Sequence, residues 1–200
     1  MKKILIAAIA LFIGSGAFAQ DVRVGIKAGA NLSTVTSAPV DTKMKLGFHI
    51  GGFLEFKFSD VLSLQPELLY STQGAKYVFI RWYSDVQFGN VSDSRTIDYI
   101  NVPVLLKINI TEGFSAEIGP QIGFLIGTRW EKKRDGVLIE SGSIMKICNT
   151  VDVTALAGLS YAFAENFIVS ARYGLGLTKI LSEEGNSKNS VIQLSVGYKF

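Results

Sequence analysis

Cysteine and histidine are almost absent from this chain, and their scarcity excludes several kinds of site. Cys148 is the only cysteine, so an intramolecular disulfide and a C-x-x-C metal or redox motif are both excluded. His49 is the only histidine, and a single histidine with a single cysteine cannot form a histidine-based metal cluster. We therefore expect no disulfide framework, no metal and no other cofactor.

The chain also lacks a long hydrophobic run beyond its first residues. It is 48% hydrophobic and only 18% charged, with 20 glycines. After Ile13, however, no stretch approaches the ~18 consecutive apolar residues of a transmembrane helix. The hydrophobic residues must therefore alternate with small and polar ones, which favours strands. The net charge of +3 is too small to indicate a nucleic-acid partner.

The beginning of the chain has the pattern of a secretory signal peptide. Lys2-Lys3 precedes an apolar run from Ile4 to Ile13, which is too short to cross a bilayer as a helix. Ala17-Phe18-Ala19 has the small-x-small pattern of a signal-peptidase site. We expect residues 1–19 to be cleaved off, which leaves a barrel domain at residues 20–200.

A hydrophobic period of two recurs along almost the whole mature chain. Leu46, Phe48 and Ile50, for example, alternate with Gly47 and His49. Tight turns alternate with long polar loops, and aromatic residues near the strand ends predict two interfacial girdles. A soluble barrel or sandwich would need larger polar side chains than the glycine, serine and threonine that line the other face. The pattern predicts an all-β, eight-stranded, antiparallel, up-and-down transmembrane β-barrel, with strands at residues 22–31, 45–58, 62–71, 99–110, 114–126, 151–163, 167–178 and 191–200.

Three prolines fall inside these predicted strands. Pro66, Pro103 and Pro120 cannot donate a ladder hydrogen bond, and a closed barrel has no edge at which to accommodate them. We expect β-bulges at these positions.

Several short sequences, in order along the chain, resemble those of the PorT-like outer-membrane β-barrel family. The resemblance covers essentially the whole mature sequence and implies an eight-stranded barrel, with no activity assigned to most members. It also implies that barrel-assembly machinery reads the aromatic end of the last strand, so Phe200 is the expected assembly signal. The sequences that carry it are Val24–Ser33, Leu64–Ser71 with Gln73–Lys76, Tyr99–Lys107, Glu117–Gln121 and Ala171–Leu175.

The inward positions of the predicted strands carry charges of both signs. An unpaired charge in a narrow lumen costs several kcal/mol, so we expect these groups to pair. The turn at residues 111–113 places Ile110 opposite Phe114, and therefore Lys107 opposite Glu117, within reach of one another. The lumen ion-pair candidates are Lys27, Glu55, Lys57, Glu67, Lys107, Glu117, Asp152 and Arg172.

Two of the predicted loops carry candidate surface contacts. Residues 73–96 are rich in aromatic side chains, including Trp82 and Tyr83. This segment can extend the flanking strands above the membrane, with additional strands that bring the total to ten, or it can form a contact surface. Residues 128–149 carry a basic cluster that suits lipopolysaccharide phosphates, although acidic neighbours also fit an ordinary solvated loop. Its members are Arg129, Trp130, Lys132 and Lys133.

Three functions fit a barrel of this kind in the bacterial outer membrane. A closed, ion-paired barrel is a structural component, or presents its loops to lipid, lipopolysaccharide or an unidentified protein. A small channel passes solute. A lipid A-modifying enzyme needs a catalytic histidine, but His49 is predicted to face the lumen without a partner motif, whereas a lipid hydrolase directs its triad at lipid. We therefore predict the closed barrel and no enzyme activity.

Overall fold

The computed structural model contains nine antiparallel strands within its described residues. These are 21–36, 42–83, 86–135, 137–143, 145, 148–164, 166–179 and 188–200, with side chains described except at 21, 42 and 77–91. Over these ranges the chain has no helix that is long and apolar enough to span a bilayer. The strands are β1 (Asp21–Thr36), β2 (Thr42–Lys57), β3 (Leu62–Tyr83), β4 (Val86–Asn109), β5 (Phe114–Arg134), β6 (Val137–Gly142), β7 (Val151–Phe163), β8 (Phe167–Gly176) and β9 (Lys188–Lys199).

Eight of these strands close into a barrel. Consecutive strands pair, β5 pairs with β7, and β1 pairs with β9 to complete the ring. Among the described residues, β6 pairs only with the outer part of β5, between Trp130 and Arg134, and stays outside the ring. In hydrocarbon no water is available for unpaired backbone groups, and a closed ring gives every strand two neighbours. The predicted fold class is confirmed.

The two faces of the strands alternate as the hydrophobic period predicts. Along β8, exposed and buried residues alternate without exception from Phe167 to Gly176. Val169 on the outer face is 39% exposed, whereas Ser170 and Arg172 are buried in the lumen. The apolar residues therefore face outward, and the small and polar residues face the lumen.

The strand prolines produce no bulges, so the expectation of bulges at Pro66, Pro103 and Pro120 is wrong. The β3–β4 register is the same on both sides of Pro66, and the β4–β5 register is the same on both sides of Pro103. The pairing is instead interrupted for a short stretch beside each of these two prolines, because the ring removes a donor without adding a residue. Register shifts lie elsewhere, between Met44 and His49, Ile80 and Trp82, Asp98 and Tyr99, and Lys132 and Lys133.

Two of the predicted loops are strands instead. β3 continues to Tyr83 and pairs with β4, which starts at Val86, and β5 continues to Arg134 and pairs there with β6. β3 and β4 have 22 and 24 residues, about twice the ~9–11 that one membrane crossing needs. Their outer halves therefore extend beyond the bilayer, where the sequence loses its alternation of apolar and polar residues. This loss is why the sequence pattern indicates loops there.

An arginine on the outer face at mid-membrane should destabilise the barrel. Val104, Ile122 and Val169 are exposed on this face, and arginine at any of them should lower the free energy of unfolding by ~2–4 kcal/mol because its charge meets hydrocarbon. Urea titrations of the protein refolded in lipid vesicles measure the loss. Val104→Leu and Val169→Leu are the matched controls. Arginine variants as stable as these controls would mean that the face does not contact lipid.

Candidate functional site: the charged lumen

Arg172 lies deep in the lumen and binds two glutamates from other strands. Its Nη1 and Nη2 donate to the two carboxylate oxygens of Glu67 at 2.9 and 2.8 Å, and its Nε donates to Glu117 Oε2 at 2.6 Å. The guanidinium fork suits this bidentate geometry. Gly158, opposite Arg172 on β7, leaves room for the arginine, since a Cβ there would lie 2.6 Å from Arg172 Cγ.

Lys27 and Gln65 complete the surroundings of Glu67, whose side chain is fully buried. Lys27 Nζ lies 3.3 Å from Glu67 Oε1, and Gln65 Nε2 donates to the same oxygen at 2.6 Å. Two cations, Lys27 and Arg172, thus face two carboxylates, Glu67 and Glu117. Each desolvated charge of this layer has an opposite charge within reach, and Glu67, at the centre, accepts hydrogen bonds from Arg172, Lys27 and Gln65, which lowers the cost of burying these ions. We call these four charged residues the central charge cluster.

Glu55 binds two lysines nearer to the short turns. Lys107 Nζ lies 3.2 Å from Glu55 Oε1, and Lys199 Nζ lies 3.1 Å from Glu55 Oε2. Lys199 is absent from the candidates derived from the sequence. Its inward position in the alternation of the last strand is the signal that identifies it.

Lys107 and Glu117 lie opposite one another in the β4–β5 ladder, as the turn predicts. Their ion-pair partners are nevertheless Glu55 and Arg172, so the predicted pairing is corrected. In so narrow a barrel a long side chain reaches across the lumen as easily as along the ladder. Arg172 also binds Glu117 through its Nε while its two terminal nitrogens bind Glu67, which an ammonium group with a single nitrogen cannot do in this planar geometry.

Two other lumen candidates have surroundings that differ from the prediction. Lys57 lies at the end of β2, where it binds Asp60 of the adjoining turn at 2.8 Å, and its side chain is 38% exposed. This contact holds the pKa of Asp60 below its usual range. Asp152 is buried in the lumen, and its hydrogen-bond partners among the described residues are the hydroxyls of Thr154 and Thr178, at 2.9 and 2.8 Å, rather than a lysine or arginine. Its neighbours are hydroxyls because it lies on the outer side of the charged layer.

His49 belongs to a buried chain of neutral hydrogen bonds. Its Nδ1 lies 2.7 Å from Asn31 Oδ1, and its Nε2 lies 2.8 Å from Ser195 Oγ. Asn31 also donates to Ser71 Oγ at 3.0 Å, which fixes the amide. The order of serine, histidine and amide resembles a nucleophilic triad, and β1 and β9 supply partners that the sequence does not place near His49. All of these side chains are buried and face the lumen.

An apolar cluster lies at the outer end of the lumen. Its residues come from four barrel strands and from the segment after β6, and Cys148 of that segment is buried among them. The sequence leaves the role of Cys148 open, because a loop cysteine carries no alternation to place it. The members of the cluster are Val35, Ala75, Ile97, Tyr99, Leu125 and Cys148.

The free space along the lumen is uneven. A cavity of about 620 Å³ at the end with the short turns is lined by Glu55, Lys107 and Lys199. Beside Lys27 and Arg172 the space falls to about 10 Å³, the lower limit for one water molecule. The central charge cluster is therefore tightly packed, whereas the lysines around Glu55 adjoin open space.

The surface candidates divide between the two faces of β5. Arg129 lies opposite Thr96 and Lys133 opposite Ser92, on the same face as lipid-facing Ile100. Trp130 and Lys132 lie on the other face, and the indole of Trp130 contacts Gly142 of β6. Trp82 and Tyr83 end β3, and their side chains lie outside the described residues.

Phe200 belongs to a row of aromatic rings on the turn side of the barrel. Its ring lies 5.3 Å from that of Tyr198, which lies 5.1 Å from Phe167, and Phe167 lies 5.6 Å from Phe163. Phe200 is 70% exposed, and its backbone N–H donates to the carbonyl of Val24. These rings have the position of the inner interfacial girdle.

The sequence and the fold identify the family. Residues 18–182 match the family described as outer membrane protein beta-barrel domain. The chain belongs to this family. It is accordingly an outer-membrane protein, with short turns at the periplasmic end and extended strands at the outer end, as in other such barrels. No curated protein matches it in sequence.

Solved structures with a similar fold cover nearly all of the chain. Neisserial surface protein A is 14% identical with a TM-score of 0.55, over 90% of this chain and 100% of that one. Ail, the attachment invasion locus protein of Yersinia pestis, is 17% identical with a TM-score of 0.50 at the same coverage. The structure of Ail in complex with the heparin analogue sucrose octasulfate is 19% identical with a TM-score of 0.50, over 90% of this chain and 100% of that one. At these identities the likeness concerns the fold alone.

The energetic coupling between lumen charges should follow the side-chain contacts rather than the ladder. Arg172→Met or Glu117→Gln alone should lower the free energy of unfolding by up to ~3–5 kcal/mol, because each leaves a buried charge without its partner. The double variant should lose clearly less than the sum of the two single losses in urea titrations. The cycle of Lys107→Met with Glu117→Gln is the matched control and should show weaker coupling. Equal coupling in both cycles would contradict these partners.

Proposed function

We propose that this protein is a closed outer-membrane barrel that acts as a structural component and through its outer surface, and that it does not pass solutes. The central charge cluster carries the proposal. Arg172, Glu67, Glu117 and Lys27 come from four different strands and meet across the lumen. A permeating ion would have to separate these groups, each of which would then be buried without a partner. The His49 chain and the apolar cluster add two further packed layers.

We propose that the hydrogen-bonded chain of Ser195, His49 and Asn31 has a structural role in the lumen and no catalytic role. Its geometry is that of a triad, but the chain faces a packed lumen while lipid substrates lie on the other side of the barrel wall. Its hydrogen bonds satisfy polar groups that β1, β2 and β9 would otherwise bury unpaired. The proposal therefore includes no enzyme activity.

We also propose a PorT-like origin, a cleaved signal peptide at residues 1–19 and recognition by the barrel-assembly machinery. The family-like sequences between Val24 and Leu175 support the first, and the pattern of charged, apolar and small residues supports the second. The exposed aromatic row that ends at Phe200 supports the third.

Purified wild-type protein should show no steady conductance in planar lipid bilayers. The variant Glu67→Ser/Glu117→Ser/Arg172→Ser removes most of the central charge cluster and should conduct if it folds, because water can then fill that layer. Heat-modifiable mobility in gels verifies folding of both proteins. Steady wild-type conductance equal to that of the variant would refute the closed lumen and favour a small channel.

Lipopolysaccharide phosphates are the partner that we propose for the outer surface. The outward face of the extended strands lies above the girdle residues Tyr70 and Phe124 and carries four basic residues. We call these residues the basic face: Lys43, Lys76, Arg129 and Lys133. Lys43 lies directly opposite Lys76, and like charges in this position destabilise a strand pair unless an anion lies between them. Lys43, Lys76 and Arg129 are exposed.

The charge pattern, not the fold comparison, supports this contact. Ail holds a sulfated sugar analogue in one of its structures, but the shared feature at that identity is the fold. Lys45, whose Nζ contacts Thr96 Oγ1, adds a fifth cation beside the basic face. Glu131, which binds Lys133 at 3.4 Å, and Asp98 reduce the net charge to +3, so the expected contact is moderate and sensitive to salt.

Removing two charges from the basic face should weaken lipopolysaccharide binding. Lys43→Gln/Lys76→Gln should bind lipopolysaccharide several-fold more weakly than wild type at low salt, and the difference should shrink at high salt because exposed charges are screened. Titration of the detergent-solubilised protein measures the affinity. Lys132→Gln, on the opposite face beside Asp93 and Glu140, is the matched control. Unchanged affinity in the double variant would exclude the basic face as the contact.

A further inference from the structure

The periplasmic end of the lumen holds an unbalanced positive charge. Lys107 and Lys199 share the single carboxylate of Glu55, at 3.2 and 3.1 Å. Lys107 and Lys199 are only 3% and 9% exposed, so this charge is largely withdrawn from bulk water. The central charge cluster next to it is balanced, with two cations and two carboxylates, and has no negative charge left to offset the second lysine.

This excess charge adjoins a cavity of the size of a small-molecule site. The cavity measures about 620 Å³, within the ~300–1,000 Å³ typical of ligand pockets. The charged residues in its lining are Arg23, Lys57, Lys107 and Lys199 against Glu55, Asp60 and Glu112, which leaves one positive charge. Asp60 binds Lys57 at the rim, and Glu112 is exposed on a turn. The deep wall of the cavity is therefore cationic.

The same wall provides hydrogen-bond donors. Each ammonium group has three N–H donors, and within the described part of the chain each of the two lysines contacts one oxygen of Glu55. Ser63 and Ser160 line the cavity and are 1% and 3% exposed. Among the described residues their hydroxyls form no side-chain hydrogen bond, so both are available to a ligand.

We propose that this cavity binds a small oxyanion, a phosphate or carboxylate that enters from the periplasm and lies between Lys107 and Lys199. An oxyanion neutralises the second lysine and accepts the hydrogen bonds that the ammonium groups and serines offer. Charge-assisted bonds of this kind are stronger than neutral ones. A cation is excluded from the deep wall by the two lysines, and an apolar ligand would leave the second positive charge beside Glu55 uncompensated.

The test is binding of inorganic phosphate to the folded, detergent-solubilised barrel. Calorimetric titration at constant ionic strength, with chloride as the balancing anion, should give saturable binding of one phosphate. Lys199→Met or Lys107→Met should weaken it about tenfold, the effect of losing one charge-assisted hydrogen bond. Lys188→Met, at the opposite end of β9, is the matched control and should bind like wild type.

Glu55→Gln provides a second variant with the opposite expected sign. It removes the carboxylate that competes for both lysines, so phosphate should bind more tightly and should raise the unfolding temperature more than in wild type. This variant decides the matter if the lysine variants do not fold. Absence of phosphate binding by wild type, or equal affinities in wild type, Glu55→Gln and the lysine variants, would overturn the proposal.

Glycerol 3-phosphate and acetate distinguish the sources of the oxyanion. Tighter binding of glycerol 3-phosphate than of inorganic phosphate would show that the ligand is an organic phosphate that also fills the cavity. Equal affinity would identify the free ion, and preference for acetate a carboxylate. Failure of all three probes to compete with chloride would overturn the site.

Discussion

A backbone N–H or C=O group inside a bilayer has no water to bond, and the closure of the barrel and the pairing of its inner charges follow from that constraint. Each membrane strand must have a neighbour on both sides, so the sheet has to close through β1 and β9. Closure with eight strands leaves a lumen only wide enough for side chains. Charged residues on the inner face then have no bulk water to solvate them. Their pairing through Arg172, Glu67 and Glu55 is the result.

The sequence is sufficient to predict the wall of the barrel but not the contacts inside it. Alternation along a strand assigns each residue to a face, and the turn at residues 111–113 sets Lys107 opposite Glu117. Which long side chains meet depends on distances across the lumen, and these join residues such as Arg172 and Glu67 from strands that are not neighbours. Alternation carries no information about such distances. It also fails where strands leave the bilayer, which is why β6 and the outer half of β3 look like loops.

Single residues show where sequence reasoning has physical limits. Pro66 lacks a backbone donor, and the strand can accommodate it with a bulge or with a gap in the ladder. The sequence does not distinguish these two outcomes. His49 acquires partners from β1 and β9, which lie at opposite ends of the chain and become adjacent only on closure. Cys148 is buried by a segment that has no periodic pattern. Lys199, in contrast, occupies an inward position in the alternation of the last strand, so the sequence is sufficient to place it in the lumen.

The charges of the lumen are distributed unevenly along its axis, and this separates the two ends of the molecule. The central charge cluster is neutral as a group and seals the middle. At the outer end Asp152 is bound by threonine hydroxyls, and the apolar cluster excludes water. At the periplasmic end the lysines around Glu55 remain next to open space. The two ends of the molecule therefore differ in the charge of the lumen as well as in the length of the strands around it.

The contact between Lys199 and Glu55 has a consequence for the order of folding. Lys199 is on β9 and Glu55 is on β2, so the contact spans β1 and forms only when the ring closes. Without β9, the buried charges of the lumen are Lys27, Lys107 and Arg172 against Glu55, Glu67, Glu117 and Asp152, which leaves one negative charge in excess. The closing strand brings the fourth cation, Lys199, with it at the moment when water leaves the lumen. The final step of assembly therefore balances the number of buried positive and negative charges, although the extra cation arrives at the periplasmic end and Asp152 lies at the outer end.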